Sequence, residues 1–155
     1  MTKVVFAVLA LTLACSPKRQ APTGPQPGAS SARGAVDGIL GALRAGDIQA
    51  VSTMWGTKRG PVRDDDRFKR TELEQRIVLM TRCFNHDAYD VVGTVAGENG
   101  GQGFEVDLKR GRNTRRTRLN TVRAEKSNRW FVDNLDVDSV KDFCQQGRAP
   151  AQPTR

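Results

Sequence analysis

The spacing of apolar residues changes once along the chain, from the period of a helix to the period of a strand. Between residues 31 and 84, apolar side chains recur every three or four positions, which places them on one face of a helix. Beyond Tyr89 they recur at every second position, as on one face of a strand. A set of helices followed by a set of strands predicts an α+β fold. We expect N-terminal helices packed on a curved four-stranded antiparallel sheet, with a short C-terminal helix.

Three helices are predicted before the strands. Gly46 ends the first, Asp47 caps the second, and Thr71 opens the third, where TELE has the spacing of a capping box. The apolar stripes of the three helices are Val36, Ile39, Leu40 and Leu43; Ile48, Val51, Met54 and Trp55; and Leu73, Ile77, Met80 and Phe84.

Four strands are predicted to follow as an antiparallel meander. ENGGQG, residues 98–103, turns the chain between the first two strands, and Ser127-Asn128 turns it before the last. In the last strand, strict alternation places Phe131, Asp133 and Leu135 on one face. The short C-terminal helix covers SVKDFCQQ, residues 139–146.

The N-terminal segment has the three parts of a secretory signal peptide. Lys3 supplies a positive charge, residues 4–13 are apolar, and Ala14 is a small residue before Cys15. This apolar run is too short to cross a bilayer, which takes about 20 residues. Residues 1–14 are therefore predicted to be a signal peptide.

The sequence LTLAC, Leu11 to Cys15, resembles the lipobox of bacterial lipoproteins. The resemblance implies that the thiol of Cys15 carries diacylglycerol, that cleavage before it makes it the first mature residue, and that its new amino group is acylated. Ser16, in place of an aspartate, implies the outer membrane, with the domain facing the periplasm. The alternative is a plain secreted protein in which this cysteine is incidental.

The composition divides the rest of the chain into a tether, one domain and a tail. Four of the seven prolines fall in residues 15–30, which predicts an extended tether behind the acylated cysteine. Residues 31–146 have the usual size of a single domain. Residues 147–155, GRAPAQPTR, are predicted to be disordered.

Two segments of the predicted domain are similar to a known superfamily. LRAGD, residues 43–47, follows the first helix, and the aromatic strand RWFVDNLDV, residues 129–137, lies near the end. Together with the helix-then-meander order they resemble the nuclear transport factor 2-like (NTF2-like) superfamily, and within it the small bacterial lipoproteins that lack an assigned activity. The resemblance covers roughly residues 31–137 and implies helices packed in a cone-shaped sheet.

Cys83 and Cys144 are the two cysteines left if Cys15 is acylated. In an oxidising compartment two such thiols usually pair, so we expect one disulfide between the third helix and the C-terminal helix. The chain-entropy relation gives a loop of this length about 4 kcal/mol of stabilisation. The alternative is two buried thiols that do not pair.

The chain offers little of the chemistry that catalysis or metal binding needs. His86 is its single histidine, which leaves too few ligands for a zinc or haem site, and no cofactor or catalytic residue is predicted. The loop WGTKRGP, residues 55–61, is a candidate ligand-binding loop, with Trp55, Arg59 and His86 as its contacts. The alternative places Trp55 in the core and leaves the rest as a polar turn.

A run of cations follows the second predicted strand, in a chain whose formal charge is +8, or +7 after residues 1–14 and their one lysine are removed. Their forked donors suit phosphate or carboxylate, and export argues against nucleic acid as the partner. Lipid phosphates, lipopolysaccharide or an acidic wall polymer remain as candidates, with a plain solvated strand face as the alternative. The candidate anion-binding residues are Arg110, Arg112, Arg115, Arg116 and Arg118.

Two functions remain open from the sequence. The first is a lipid-anchored envelope protein whose domain binds a ligand or partner without catalysis. The sequence does not identify that ligand or partner. The second is a small-ligand enzyme, since enzymes of the resembled superfamily use acids and histidine inside the cone. An interior filled by apolar side chains favours the first, and a cavity lined by ionisable groups favours the second.

Overall fold

The computed structural model describes residues 26–145. The predicted signal peptide, Cys15, the tether as far as residue 25, and the C-terminal tail lie outside these residues. The helices are α1 (Ala32–Ala45), α2 (Ile48–Met54), α3 (Arg70–Cys83) and α4 (Lys141–Gln145). The strands are β1 (Gly56–Thr57), β2 (Gly60–Pro61), β3 (Ala88–Ala96), β4 (Gln102–Arg110), β5 (Asn113–Arg123) and β6 (Trp130–Leu135).

The corner between the first two helices lies where its sequence signals predict. Ser31 caps α1 by accepting a hydrogen bond from Gly34 N at 3.0 Å. Gly46 ends α1 with φ 68°, in the left-handed region that glycine enters without strain. Asp47 then caps α2 by accepting from Ala50 N at 2.9 Å. The two helices are therefore joined by a tight, locally encoded corner.

The predicted capping box at Thr71 is wrong. α3 begins at Arg70 with Lys69 as its N-cap, and no side chain caps it. The half-buried Phe68 packs against the core two residues before the helix. The helix therefore begins earlier than the local motif predicts. Thr71 consequently lies inside the first turn, where its hydroxyl cannot serve as the cap.

The four long strands form one antiparallel sheet in the order β3-β4-β5-β6, and β1 and β2 form a separate two-stranded sheet. α1 packs on β5 and β6, and α2 and α3 pack beside α1. The α+β architecture with a four-stranded antiparallel sheet is confirmed. Apolar side chains fill the space between helices and sheet; the largest of those that are fully buried are Ile39, Leu40, Leu43, Phe84, Leu108, Leu119 and Phe143.

The predicted alternation along β6 is wrong beyond its middle. Thr121 is opposite Val132 and Asn120 is opposite Asn134, so Asp133 is an extra, bulged residue. The bulge shifts the parity, and Val132 and Leu135 both face the core. Phe131 instead joins a small cluster outside the main core.

That small cluster extends the folded body before residue 31. Phe131 packs with Val122 and Ala124, and an added Cβ on Gly28 would come within 2.7 Å of the Phe131 ring. Ala29 forms a β-bridge with Trp130. Two residues that the sequence assigned to the tether therefore contact the sheet.

A disulfide joins Cys83 at the end of α3 to Cys144 in α4, as predicted. It closes a loop that contains the entire four-stranded sheet. Within residues 26–145, no helix combines the length and apolar character that crossing a bilayer requires.

Candidate functional site

The β1–β2 hairpin is held against the edge of the sheet by close packing. Trp55, just before β1, is buried, and its Nε1 donates to the backbone carbonyl of Asp133 at 3.4 Å. Gly56 lies against the Phe131 ring, where an added Cβ would come within 2.5 Å of Cγ. Any side chain at Gly56 would therefore displace the hairpin. The burial of Trp55 supports the alternative in which it is a core residue.

A cleft of about 440 Å³ opens beside this hairpin. Its lining residues come from the hairpin, from the segment before α3, and from β5 and β6. They are Thr57, Lys58, Arg59, Arg67, Val122 and Asp133. Three of these side chains are cationic and one is acidic, so the cleft favours an anion.

Asp65 offsets part of the positive charge from just outside the lining. Its buried carboxylate accepts from Arg67 at 2.9 Å (Nε to Oδ1) and 2.6 Å (Nη2 to Oδ2). These hydrogen bonds lower the pKa of Asp65 from 3.8 to about 2, so it is ionised at neutral pH. Arg59 Nε lies 3.9 Å from the same carboxylate, at the limit of an ion pair. Arg67 is thus firmly paired, and Arg59 is held weakly.

Lys58 is the least constrained cation of the cleft. Among residues 26–145, no carboxylate oxygen lies within the 4.0 Å limit of an ion pair to its ammonium group. Its backbone is fixed, because its carbonyl accepts from Glu125 N at 2.9 Å. An exposed cation without a fixed partner, next to the weakly held Arg59, can accept an incoming phosphate or carboxylate.

Asp133 is the acidic residue of the cleft. Its Oδ1 is buried and has no hydrogen-bond partner among the described residues. Burial raises the pKa of Asp133, because the charged form is poorly solvated.

The five arginines predicted to bind anions do not form one surface. Arg116 donates to the carboxylate of Asp107 through Nε at 2.8 Å and Nη2 at 3.0 Å. Arg115 reaches Asp142 of α4, with Nη2 2.6 Å from Oδ2. Each of these two arginines therefore already uses part of its five N–H donors in an ion pair, on different elements of the fold.

The other three candidate arginines differ from one another. Arg110 lies over the ring of Phe143 and donates to its carbonyl at 2.8 Å, as well as to carbonyl groups at the C-terminal end of α3. Its hydrogen bonds hold α3, α4 and the sheet together. Arg112 and Arg118 are exposed and, within residues 26–145, have no carboxylate partner in ion-pair range. Anion binding by this group stays a prediction.

The predicted ligand loop is divided between two places. Trp55 and Arg59 belong to the hairpin, whereas His86 lies between α3 and β3. The His86 ring is buried and packs edge-on against Tyr89, with ring centroids 5.5 Å apart. The hairpin cleft contains two cations that the sequence analysis missed, Lys58 and Arg67. Lys58 was next to Arg59 in the predicted loop, but nothing local indicated that Arg67 would meet them.

His86 is held as a neutral imidazole. Nδ1 lies 2.7 Å from the Phe84 carbonyl, which fixes the proton on that nitrogen, and the buried Nε2 has no partner among the described residues. Burial lowers the pKa of His86 below its ordinary value of 6.5. The hydrogen bond to Phe84 is the next largest influence and opposes this, and the nearby charges of Arg44 and Arg110 add smaller lowering effects. Protonation would place an unpaired charge in the core.

We expect the neutral His86 to make stability pH-dependent. Its folded-state pKa lies below the unfolded value, so its contribution is complete above about pH 6.5 and is lost as pH falls below that value. Relative to a His86→Gln variant, the wild type should lose up to about 1.4 kcal/mol per pH unit in free energy of unfolding. Urea denaturation at about pH 7 and pH 5 measures this difference. An identical pH dependence in both proteins would contradict the assignment.

Two further observations bear on function. Within the described part of the chain, no three His, Cys, Asp or Glu side chains are arranged to hold a metal ion. No protein-family model, curated protein or solved structure matches the chain. Its function therefore has to be inferred from its own residues.

Proposed function

We propose that the chain is a lipid-anchored envelope protein whose α+β domain binds an anionic ligand in the hairpin cleft without catalysis. The lipobox resemblance at Cys15 supports the anchor. One observation carries the binding function: Lys58, Arg59 and Arg67 line the same cleft. The ligand class is a phosphate or carboxylate group of an envelope polymer, and the protein works in the periplasm from the outer membrane.

The cleft is suited to binding by its rigidity as well as its charge. Trp55 and Gly56 fix the hairpin on the sheet, so Lys58 and Arg59 project from a backbone that does not have to order on binding. Because less conformational entropy is lost, weak individual contacts can give a useful affinity. Arg59 exchanges only a 3.9 Å contact with Asp65 for a direct contact with the ligand.

The interior of the domain favours binding over the alternative of a small-ligand enzyme. Apolar side chains fill the space between helices and sheet. His86 hydrogen bonds to the backbone there, and the acids Asp90 and Asp107 pair with cations on the opposite face of the sheet. Proton transfer requires an acid and a base in a shared cavity, and these groups do not form such a pair.

A nuclear transport factor 2-like relationship is part of the proposal. The order of helices and strands supports it, as do two irregularities in strand pairing, between Val91 and Gly93 and between Asn120 and Thr121. Bulges of this kind bend strands, as a cone-shaped sheet requires.

The binding function is tested with sodium polyphosphate as the probe, in the mature protein. A Lys58→Ala/Arg59→Ala variant should bind at least about tenfold more weakly, since it loses two direct contacts to the anion. Isothermal titration calorimetry at fixed salt measures the affinity.

The matched control is Arg76→Ala/Lys141→Ala, which removes one arginine and one lysine from exposed positions outside the cleft. This control should bind nearly as well as the wild type. Equal losses of affinity in the two variants would mean that net charge alone explains the binding, and would contradict a specific cleft.

A further inference from the structure

A second surface, centred on α3, combines exposed apolar side chains with cations. Val78 and Leu79 of α3 are 53% and 49% exposed, and Ile48 at the start of α2 is 40% exposed. Ile48 and Val78 line a groove of about 540 Å³ whose other lining residues include Arg82, Arg110 and the aromatic Phe143. We call Ile48, Val78, Leu79 and Arg82 the α3 patch.

All charged residues that line the groove are positive. Arg82 is exposed and, within residues 26–145, makes no ion pair. Arg110 directs its donors to backbone carbonyls rather than to a carboxylate, so its charge is offset only by more distant acids, Asp87 and Asp142. Apolar side chains next to cations match the two parts of an anionic phospholipid, which are its acyl chains and its phosphate.

The position of the patch suits a bilayer that holds the chain by its N-terminus. Gly28, near the start of the described chain, donates to the Thr53 carbonyl at the C-terminal end of α2, and Ile48 begins the same helix. The five helical steps from Ile48 to Thr53 span about 8 Å. The twelve residues between Cys15 and Gly28 can span at most about 40 Å. The membrane surface is thus within reach of the patch.

We infer that the α3 patch seats the domain on the anionic phospholipid surface of its own membrane. Val78, Leu79 and Ile48 enter the boundary between headgroups and acyl chains, and Arg82 contacts lipid phosphate. The inference rests on the proposed lipid anchor, which supplies the membrane.

The test is hydroxyl-radical footprinting of the mature wild-type protein in vesicles of phosphatidylcholine with or without phosphatidylglycerol. Oxidation of Val78 and Leu79 should fall several-fold in vesicles that contain phosphatidylglycerol. Val92 is an internal control, because it is 45% exposed but lies on β3. Its oxidation should not change. Arg82→Glu should restore the oxidation of Val78 and Leu79, whereas Lys126→Glu, a charge reversal at an exposed position in the turn between β5 and β6, should leave them protected.

The outcomes separate the patch from the anchor. A protein that floats with the vesicles while Val78 and Leu79 stay fully reactive keeps the anchor and overturns the patch. A protein without acyl mass that still binds phosphatidylglycerol vesicles through the patch keeps the patch and overturns the anchor. Equal protection with and without phosphatidylglycerol overturns the phosphate contact, and concentration-dependent protection without vesicles assigns the patch to a second copy of the chain. Failure of both flotation and acylation overturns both proposals.

Discussion

Replacing both Cys83 and Cys144 by alanine lowers the free energy of unfolding by about 3 to 4 kcal/mol. The disulfide joins residues 61 positions apart, so its loss releases a long loop in the unfolded chain. Because the total free energy of unfolding of such a domain is only about 5 to 15 kcal/mol, the disulfide contributes a large share of it. Urea denaturation followed by circular dichroism measures the change.

The variant should still fold, because other contacts hold α4. Phe143 and Val140 are fully buried, and Arg110 donates to the Phe143 carbonyl. A Cys15→Ser background keeps the measurement free of acyl chains and leaves the disulfide pair as the only cysteines. A loss below about 1 kcal/mol would mean that the bridge constrains the unfolded chain far less than the loop length implies.

Cys15→Ser releases the protein from the membrane fraction. Each acyl methylene buried in the bilayer contributes about 0.8 kcal/mol, so the two or three acyl chains of the proposed anchor would hold the wild type almost irreversibly. The α3 patch alone gives only peripheral binding that salt weakens. After a high-salt wash, immunoblotting should find the wild type in the membrane pellet and Cys15→Ser in the supernatant.

The matched control for this release is the Cys83→Ala/Cys144→Ala variant with Cys15 intact. It also loses cysteines, but it keeps Cys15, the proposed site of acylation, and should stay in the pellet. If Cys15→Ser remains membrane-bound to the same extent as the wild type, the lipid anchor is not at this cysteine.

Local signals in the sequence predicted the parts of the fold that local physics determines. Gly46 and Asp47 mark the corner between α1 and α2, and both act as predicted. The disulfide followed from the number of cysteines and the expected compartment. The start of α3 was missed because the packing of Phe68 decided it, and the bulge at Asp133 was missed because register depends on the neighbouring strand.

The candidate site was harder to predict than the fold. Arg59 was identified in its loop, but Arg67 and Asp133 meet it only through tertiary packing. The strand arginines looked like one basic surface in the sequence. Cross-strand register then placed Asp107 opposite Arg116, and α4 brought Asp142 to Arg115. Charge counts cannot distinguish a free cation from a paired one until the partners are located.

The intact mass of the wild-type protein from the membrane fraction tests the central claim most directly. We predict a chain that begins at Cys15 and carries a diacylglyceryl group and an amide-linked acyl chain, with Cys83 and Cys144 oxidised. A soluble chain that retains residues 1–14, carries no lipid and has every thiol reduced would contradict it.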